Sequence, residues 1–237
     1  MKRRSLRLIA SVIAFSYAVV VRGAPSSDPS AADFMKQVVA TYQSLSTYRD
    51  RGRSVQTLKS YPSEKHLSTA VIDFATFFKR PDKFRFSWTT TDNFGDGKDV
   101  TRDAIWSDGP KIWRSASYNA NVPVLKESFD MAVAGATGVS QGTAHDIFRL
   151  ITDKVGGFRY DELLGLTIVR SQMIAGVDSY VVRGNYISGE GCDLWIGKRD
   201  HLIRKGVKTQ SDGNTTSFER MDIVINQAIS DNQFRGD

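Results

Sequence analysis

Apolar and polar residues alternate with two different periods along the chain. An apolar stripe at helical spacing predicts an amphipathic helix over 30–46, and Ser30 with Asp33 resembles the capping arrangement at a helix start. After this helix the period changes from 3.6 to 2, most plainly in residues 83–88, where three aromatic side chains alternate with Lys, Arg and Ser. The alternation predicts about five strands before residue 118.

The helical period returns in the middle of the chain and then gives way to strands again. One stripe runs from Leu125 to a stop at Gly138, and a second covers 144–151 ahead of a Gly-Gly pair. About five more strand-like segments follow, and the last ends at Ile225. This order predicts a mainly β (α+β) fold: an unclosed antiparallel half-barrel of about 10–11 strands with three helices lidding the concave face.

Helices placed inside a half-barrel pack imperfectly, because a cylinder does not fill a curved sheet. This predicts an apolar cavity between the sheet and the helices, which is the setting in which small-ligand sites occur. A fully packed core without a usable cavity is the alternative, and composition favours neither.

The N-terminal segment has the pattern of an export signal. Residues 1–7 are basic, and 8–21 form an uncharged run that fits a signal-peptide core and is too short to span a bilayer. Small residues favour cleavage after Gly23, with an uncleaved anchor as the alternative. We therefore expect a signal peptide over 1–23, a single domain over 24–237, and a periplasmic protein that is not a lipoprotein, since no cysteine follows the apolar run.

The apparent basicity of the chain belongs to that segment. The whole sequence has 32 bases and 26 acids, a net charge of +6. Removing 1–23 takes away five bases and no acids, which leaves 27 bases, 26 acids and a net charge of +1. Nucleic-acid binding through a basic patch is therefore not expected.

The residue types that carry catalysis or bind metals are sparse and scattered. The three histidines, His66, His145 and His201, are far apart and lack metal-ligand spacing. The single cysteine, Cys192, alternates with apolar residues and is predicted to be a small buried hydrophobe. No nucleophile elbow or paired carboxylates stand out, so we expect no metal, no cofactor and no enzymatic activity.

Two blocks of sequence resemble segments of the outer-membrane lipoprotein carriers, the LolA/LolB-like superfamily. They are FFKRPDKFRF at 77–86 and IWSDGPKIW at 105–113. Weaker matches extend the resemblance over nearly all of the mature chain: Gly176–Tyr180, Leu194–Ile196, His201–Lys205 and the terminal Ile229, Asp231 and Phe234. The chain is identified as similar to a little-characterised branch of predicted periplasmic proteins rather than to the dedicated carriers. It departs from the carriers in its longer middle segment and in an extra turn around 92–99.

The resemblance implies a helix-lidded half-barrel that holds acyl chains. Arg80 matches an arginine that contacts the lid helices in the carriers, and Tyr42 matches an apolar residue of the first helix near the lid. A solvated charge at a strand end is the alternative for Arg80. The aromatic residues that could line the cavity, or else be plain core, are Phe78, Phe84, Phe86, Trp88, Trp106, Phe129 and Phe148.

The function expected from these observations is periplasmic binding of an acyl chain or a lipidated protein, as a lipoprotein carrier or chaperone-like protein. The alternative is an envelope sensor or protein-interaction module on the same fold, without lipid carriage. The expected partners are acyl chains of lipids or lipoproteins, with an envelope protein as a further candidate, and the expected state is a monomer.

Overall fold

The computed structural model describes residues 29–58, 68–92, 99–117, 123–126 and 128–236. The predicted signal peptide over 1–23 lies outside these residues, so its presence and cleavage stay predictions. Within the described part of the chain, no helix combines the length and the hydropathy needed to cross a membrane.

The described residues form one antiparallel sheet whose edges do not meet. Its strands are β1 (Thr47–Leu58), β2 (Ser68–Lys79), β3 (Lys83–Asp92), β4 (Asp99–Ser107), β5 (Ile112–Ser115), β6 (Val124–Lys126), β7 (Leu164–Ile174), β8 (Val177–Asn185), β9 (Gly191–Gly197), β10 (Ile203–Thr209) and β11 (Thr215–Ile225). The order across the sheet is β6-β5-β4-β3-β2-β1-β11-β10-β9-β8-β7. Because β1 pairs with β11, the two halves of the chain join into one sheet, and β6 and β7 are its unpaired edges. The predicted unclosed half-barrel is confirmed.

In the described part of the chain, three α-helices accompany the sheet: α1 (Ala31–Ser44), α2 (Phe129–Thr137) and α3 (Thr143–Ile151). The Ser30 side chain accepts a hydrogen bond from the backbone N–H of Asp33, so α1 begins with the cap that the sequence predicts. Short 3-10 helices follow at Tyr160–Glu162 and Asp231–Phe234.

The predicted start of the middle helix is wrong. Leu125 lies in strand β6, where it pairs with Trp113 of β5. The helix α2 begins after Ser128, whose hydroxyl caps the backbone N–H of Met131. Leu125 and Phe129 are four residues apart, so their spacing fits a helix, but the backbone hydrogen bonds available at the edge of the sheet hold residues 124–126 in an extended conformation.

The buried core lies between the concave face of the sheet and the helices. Alternate residues of each strand face inward, for example Phe74 on β2 and Phe86 on β3. The helices bury their apolar stripes against them, for example Val38 of α1, Val133 of α2 and Ile147 of α3. The predicted covering of the concave face by three helices is confirmed.

A glycine on β1 provides space for this core. A Cβ atom at Gly52 would lie 2.1 Å from Cζ of Phe74 and 2.5 Å from the carbonyl oxygen of Glu219. We expect Gly52→Ala to lower the free energy of unfolding by about 1–3 kcal/mol, because the backbone oxygen cannot move away from the added methyl group. Chemical denaturation measures the change. Gly138→Ala is the control, since no described atom lies within 4 Å of that Cβ position; an equal loss in the two variants would contradict the prediction.

The C-terminal tail is fastened beside the turn between β2 and β3. The carboxylate of Asp231 pairs with Nζ of Lys79 at 2.8 Å and with Nζ of Lys83 at 2.7 Å. Phe234, three residues further on, is fully buried. The turn that carries Arg80 is therefore bounded by two lysines bound to the tail.

The attachment of the tail should weaken in acid. Hydrogen bonds from Lys79 and Lys83 lower the pKa of Asp231 from 3.8 to about 2. Because this folded-state pKa lies below the unfolded value, the stabilisation is fully present above about pH 4 and is lost as the pH falls from there through about 2. An NMR titration should show the Phe234 amide shifting in this window, and Asp231→Asn should abolish that transition. A Phe234 signal that is equally pH-dependent in the variant would contradict the assignment.

Candidate ligand site on the concave face

Four phenylalanines pack together beneath α2 and α3. The ring of Phe84 on β3 stacks on Phe129 of α2 with centroids 4.0 Å apart and meets Phe148 of α3 edge-on at 5.4 Å. Phe148 also lies 5.2 Å from Phe129 and 6.4 Å from Phe86. These side chains are buried, so aromatic rings occupy the space directly under the two helices. The sequence left open whether the space under the helices is an apolar cavity or a packed core. Beneath α2 and α3, the structure shows packed side chains.

Two other predicted residues extend this cluster along the concave face. The ring of Trp88 lies 5.4 Å from Phe86, and its indole Nε1 is buried without a hydrogen-bond partner among the described residues. Phe78 is buried at the opposite end of the face, under the guanidinium of Arg80 at 5.6 Å.

The structure separates Trp106 from this set, which corrects the grouping made from sequence. Side chains alternate along β4, so Ile105 faces the helices and Trp106 faces the convex side. There it lies under the tail, where a Cβ atom at Gly236 would be 2.5 Å from its ring. Trp106 borders a separate convex-face cavity of about 550 Å³, whose floor includes the small side chains of Ala75 and Ala104.

Arg80 binds the C-terminal ends of two helices. Its Nε donates to the carbonyl oxygen of Leu45 at 2.7 Å, and its Nη2 donates to the carbonyl oxygens of Ile151, at 2.8 Å, and Gln43. Carbonyl groups at a helix C-terminus lack intrahelical partners and form the negative end of the helix dipole, so a cation is favoured there. One side chain from the β2–β3 turn therefore joins α1 to α3. A role for Arg80 in lid movement stays a prediction.

Tyr42 fixes the position of α1 on the sheet. Its hydroxyl accepts a hydrogen bond from the backbone N–H of Ile203 on β10, at 3.0 Å. Burial raises the pKa of Tyr42 well above its ordinary value, so the hydroxyl stays protonated. Its ring lies 5.8 Å from that of Tyr48, so it packs near the centre of the sheet rather than beside Phe129 and Phe148.

A buried ion pair, which sequence reasoning missed, lies next to Tyr48. Nη1 of Arg220 on β11 is 2.6 Å from Oδ2 of Asp50 on β1, and both side chains are inaccessible to solvent. The Tyr48 hydroxyl donates to the same carboxylate oxygen at 2.6 Å, and Nη2 of Arg220 donates to the carbonyl oxygen of Thr143 at 3.1 Å. The sequence carries only a weak signal for this pair: Asp50 alternates with Tyr48 and Arg220 with Phe218, but Ser54, Gln56 and Thr216 make the same inward faces partly polar.

The surroundings of Arg220 keep its guanidinium protonated. Burial would lower the pKa of Arg220, but the negative charge of Asp50 raises it above its ordinary value. Burial, and after it the charge of Asp50, raises the pKa of Tyr48, so its hydroxyl remains a donor. The guanidinium lies 4.9 Å from the ring of Phe74 and 5.5 Å from that of Phe218, which shield it from water.

Three cations from the sheet hold α3 along its length. Arg220 binds the carbonyl oxygen of Thr143 at the start of the helix, and Arg80 binds that of Ile151 at its end. Between them, Nζ of Lys208 on β10 lies 2.9 Å from the nearer carboxylate oxygen of Asp146, a residue with 6% of its surface exposed. The apolar underside of α3 is thus bordered by polar attachments to three places in the sheet.

Two cavities open at one end of the concave face, on either side of the connection between α2 and α3. The first has about 330 Å³ and is bordered by Ile72 and Thr90 of the sheet and by Gln141 of the connection. The second has about 200 Å³ and lies between α3 and the ends of β8–β10. Residues from four neighbouring strands are paired side by side between the two cavities: Lys208, Thr216, Gln56 and Ala70. Because Lys208 borders the second cavity and Ala70 the first, both cavities lie at the same end of the sheet.

The single cysteine, Cys192, is buried, as the alternation around it predicts. Burial raises the pKa of the Cys192 thiol to about 12, as expected for a buried hydrophobe. Among the described residues, no group of three or more His, Cys, Asp or Glu side chains is arranged to hold a metal ion.

Comparison with solved structures identifies the architecture. NE2245 from Nitrosomonas europaea, a LolA superfamily protein, matches over 88% of this chain and 99% of its own, with 11% identity and a TM-score of 0.33. LprF from Mycobacterium bovis matches over 84% of this chain and 94% of its own, with 10% identity and a TM-score of 0.50. The fold is similar to that of LprF. Identities this low show the fold alone and leave the superfamily, the ligands and the partners open.

A third similar structure is the MucA/MucB complex of Pseudomonas aeruginosa, with 12% identity and a TM-score of 0.41. The match covers 87% of this chain and 61% of that one, so this chain spans about three fifths of the length of the relative. No protein-family model and no curated protein matches the sequence.

Proposed function

We propose that the protein binds an acyl chain, free or attached to a polypeptide, on the concave face beneath α2 and α3, as a carrier or chaperone-like protein. The observation that supports this most directly is that α3 is held by polar hydrogen bonds at its end, while its side facing the sheet is apolar. Arg80 ties α3 to α1 through backbone carbonyls, whereas the ring of Phe148 on α3 rests on Phe84 and Phe86 without polar contacts of its own. Releasing the fastening would expose a continuous aromatic surface.

An acyl chain is the ligand that such a surface fits. In the closed arrangement, the rings of Phe129 and Phe148 cover the sheet, and a hydrocarbon chain would take their place when α2 and α3 move. The cavities of about 330 and 200 Å³ at the end of the face provide entry beside the α2–α3 connection. Burying ten methylene groups contributes about 8 kcal/mol, from which the costs of immobilisation and of lid opening are subtracted. The balance suits reversible carriage.

Two adjacent threonines on β3 allow a direct test of this location. Thr90 lines the concave-face cavity of about 330 Å³, and Thr89 lines the convex-face cavity of about 550 Å³. We expect Thr90→Phe to weaken binding of a fluorescent fatty acid at least tenfold, because the added ring fills the entry to the concave face. Thr89→Phe should leave the affinity unchanged, and fluorescence titration measures both.

The same titration can contradict the proposal. A folded wild-type protein that takes up no fatty acid, and yields no lipid by mass spectrometry of its organic extract, would remove the acyl-binding function. A loss caused by Thr89→Phe instead would move the site to the convex face.

A second candidate function is capture of an envelope protein without lipid. The edge strand β7 favours it, because Leu164, Val169 and Met173 are exposed on a strand that pairs, among the described residues, with β8 alone. An unpaired strand edge with exposed apolar residues can accept a strand from a partner. Met173→Lys should then abolish partner capture while fatty-acid binding persists, and Thr90→Phe should leave partner capture intact.

The periplasmic location belongs to the same proposal. Cleavage after Gly23 would remove 23 of the 237 residues and release a mature chain that begins at Ala24. Intact mass measurement of protein from the periplasmic fraction tests it. An unprocessed chain in the membrane fraction would favour the retained anchor.

A further inference from the structure

The cavity of about 200 Å³ beside α3 has walls suited to a cation. We infer that it binds the ammonium group of an amphiphile, of the alkylammonium or quaternary ammonium type, whose chain lies on the concave face. The position of the chain rests on the proposed function, whereas the ammonium site has its own geometry. Six residues form the site: Asp146, Phe158, Tyr160, Tyr186, Glu190 and Lys208.

Three aromatic rings line the cavity. The rings of Phe158 and Tyr186 pack with centroids 4.8 Å apart and planes tilted by 56°. Tyr186 is fixed by the β8–β9 turn, where its backbone N–H donates to the carbonyl oxygen of Glu190 at 2.8 Å. The third ring is that of Tyr160, on the short 3-10 helix before β7. Faces of aromatic rings attract cations, and several rings around one space are the usual means of holding an ammonium group.

The cavity already holds one ammonium group of the protein itself. Nζ of Lys208 lies 5.8 Å from the ring centroid of Tyr160 and 6.0 Å from that of Tyr186. It also lies 2.9 and 3.3 Å from the two carboxylate oxygens of Asp146. At Gly142, a Cβ atom would be 3.2 Å from this nitrogen, so the glycine leaves the lysine its space. The chemistry of the walls is therefore that of an ammonium site.

The charges of the lining residues favour a second cation rather than an anion. Asp146 and Glu190 carry two negative charges, and Lys208 carries one positive charge, which leaves one negative charge in excess. The volume of about 200 Å³ is the space that remains with Lys208 in place. Nε2 of His145, which also borders the cavity, is bound to the carbonyl oxygen of Gly156 at 2.8 Å. The ammonium group of a ligand would neutralise this excess negative charge beside Glu190.

An unused hydroxyl offers a further contact. The Tyr160 hydroxyl is buried beside the Asp146 carboxylate, and among the described residues it makes no hydrogen bond of ordinary length and angle, although the residue lines the cavity. A buried polar group without a partner is costly, and a ligand that supplies one recovers that cost. An oxygen atom near the ammonium group of the ligand would serve.

The test compares amphiphiles with the same chain and different heads. Below their critical micelle concentrations, dodecyltrimethylammonium should bind wild-type protein at least tenfold more tightly than dodecanoate. Glu190→Gln should reduce this ratio about tenfold, because the excess negative charge is removed. Glu219→Gln is the matched control: Glu219 pairs with Lys205 on another part of the sheet, and the ratio should not change.

Removing the ammonium group of Lys208 and supplying a free ammonium ion gives an independent measurement. Lys208→Ala should raise the affinity for tetramethylammonium, followed by tyrosine NMR signals, at least tenfold, since Asp146 then lacks its partner. Lys205→Ala, on the same strand, should not raise it.

The outcomes separate the two proposals. Equal binding of both dodecyl compounds, unaffected by Glu190→Gln, would overturn the ammonium site and leave acyl binding intact. Tetramethylammonium binding without binding of any dodecyl compound would support the ammonium site and overturn acyl carriage. Tighter binding of dodecanoate would overturn the ammonium site in favour of an anion site at Lys208.

Discussion

Arg220→Met is expected to lower the free energy of unfolding by about 3–5 kcal/mol, which would be among the largest effects of any single substitution in this protein. The substitution leaves the Asp50 carboxylate buried with the Tyr48 hydroxyl as its donor, and it also removes the hydrogen bond to the carbonyl oxygen of Thr143. An uncompensated buried charge is far more costly than the loss of the attraction between two exposed ions. Urea-induced unfolding measures the change.

Two further variants make this prediction specific. Arg183→Met removes the exposed pair that Arg183 makes with Asp193 at 2.7 Å, and we expect a small effect, because water replaces the lost partner. The double variant Asp50→Leu with Arg220→Met should recover much of the stability, since neither charge is left buried alone. A single Arg220→Met variant as stable as Arg183→Met would contradict the buried-pair interpretation.

Arg80→Leu should loosen the lid at the C-terminal end of α3. A hydrogen bond from a charged donor contributes about 1.5–3 kcal/mol, and Arg80 makes bonds of this kind to both α1 and α3. Losing even one such contribution shifts an opening equilibrium tenfold or more. We expect hydrogen exchange at the C-terminal turn of α3 to accelerate at least tenfold, and the affinity or the release rate of a bound fatty acid to change by a similar factor.

Arg49→Leu is the matched control for Arg80. Arg49 is exposed on β1, and its alternation with the buried Tyr48 places it on the convex side. Its replacement should change neither exchange nor release. Unaltered fatty-acid affinity and release in Arg80→Leu would leave Arg80 as a charge flanking the turn, with no part in carriage.

The sequence by itself determined most of the fold. Side-chain alternation in 83–88 marked β3 and its inward aromatic residues, and the cap at Ser30 marked the start of α1. These patterns are readable because periods of 2 and 3.6 follow from local backbone geometry, and burying one face of each element requires them. The short strand β6 was not predicted, because three residues at a sheet edge show too little alternation to be distinguished from the helical spacing of Leu125 and Phe129.

The arrangement of the candidate site was decided by tertiary structure. Nothing local in the sequence tells that Arg80 meets carbonyl groups 35 and 71 residues away, or that Asp50 meets Arg220 across the joint between β1 and β11. Partners this distant are chosen by the curvature of the sheet and by the packing of the helices on it. The face on which Trp106 lies, and the rings that gather around Lys208, depend on the same long-range geometry. Local periodicity determined which elements form, and the closing of the two halves of the chain into one curved sheet determined which side chains meet.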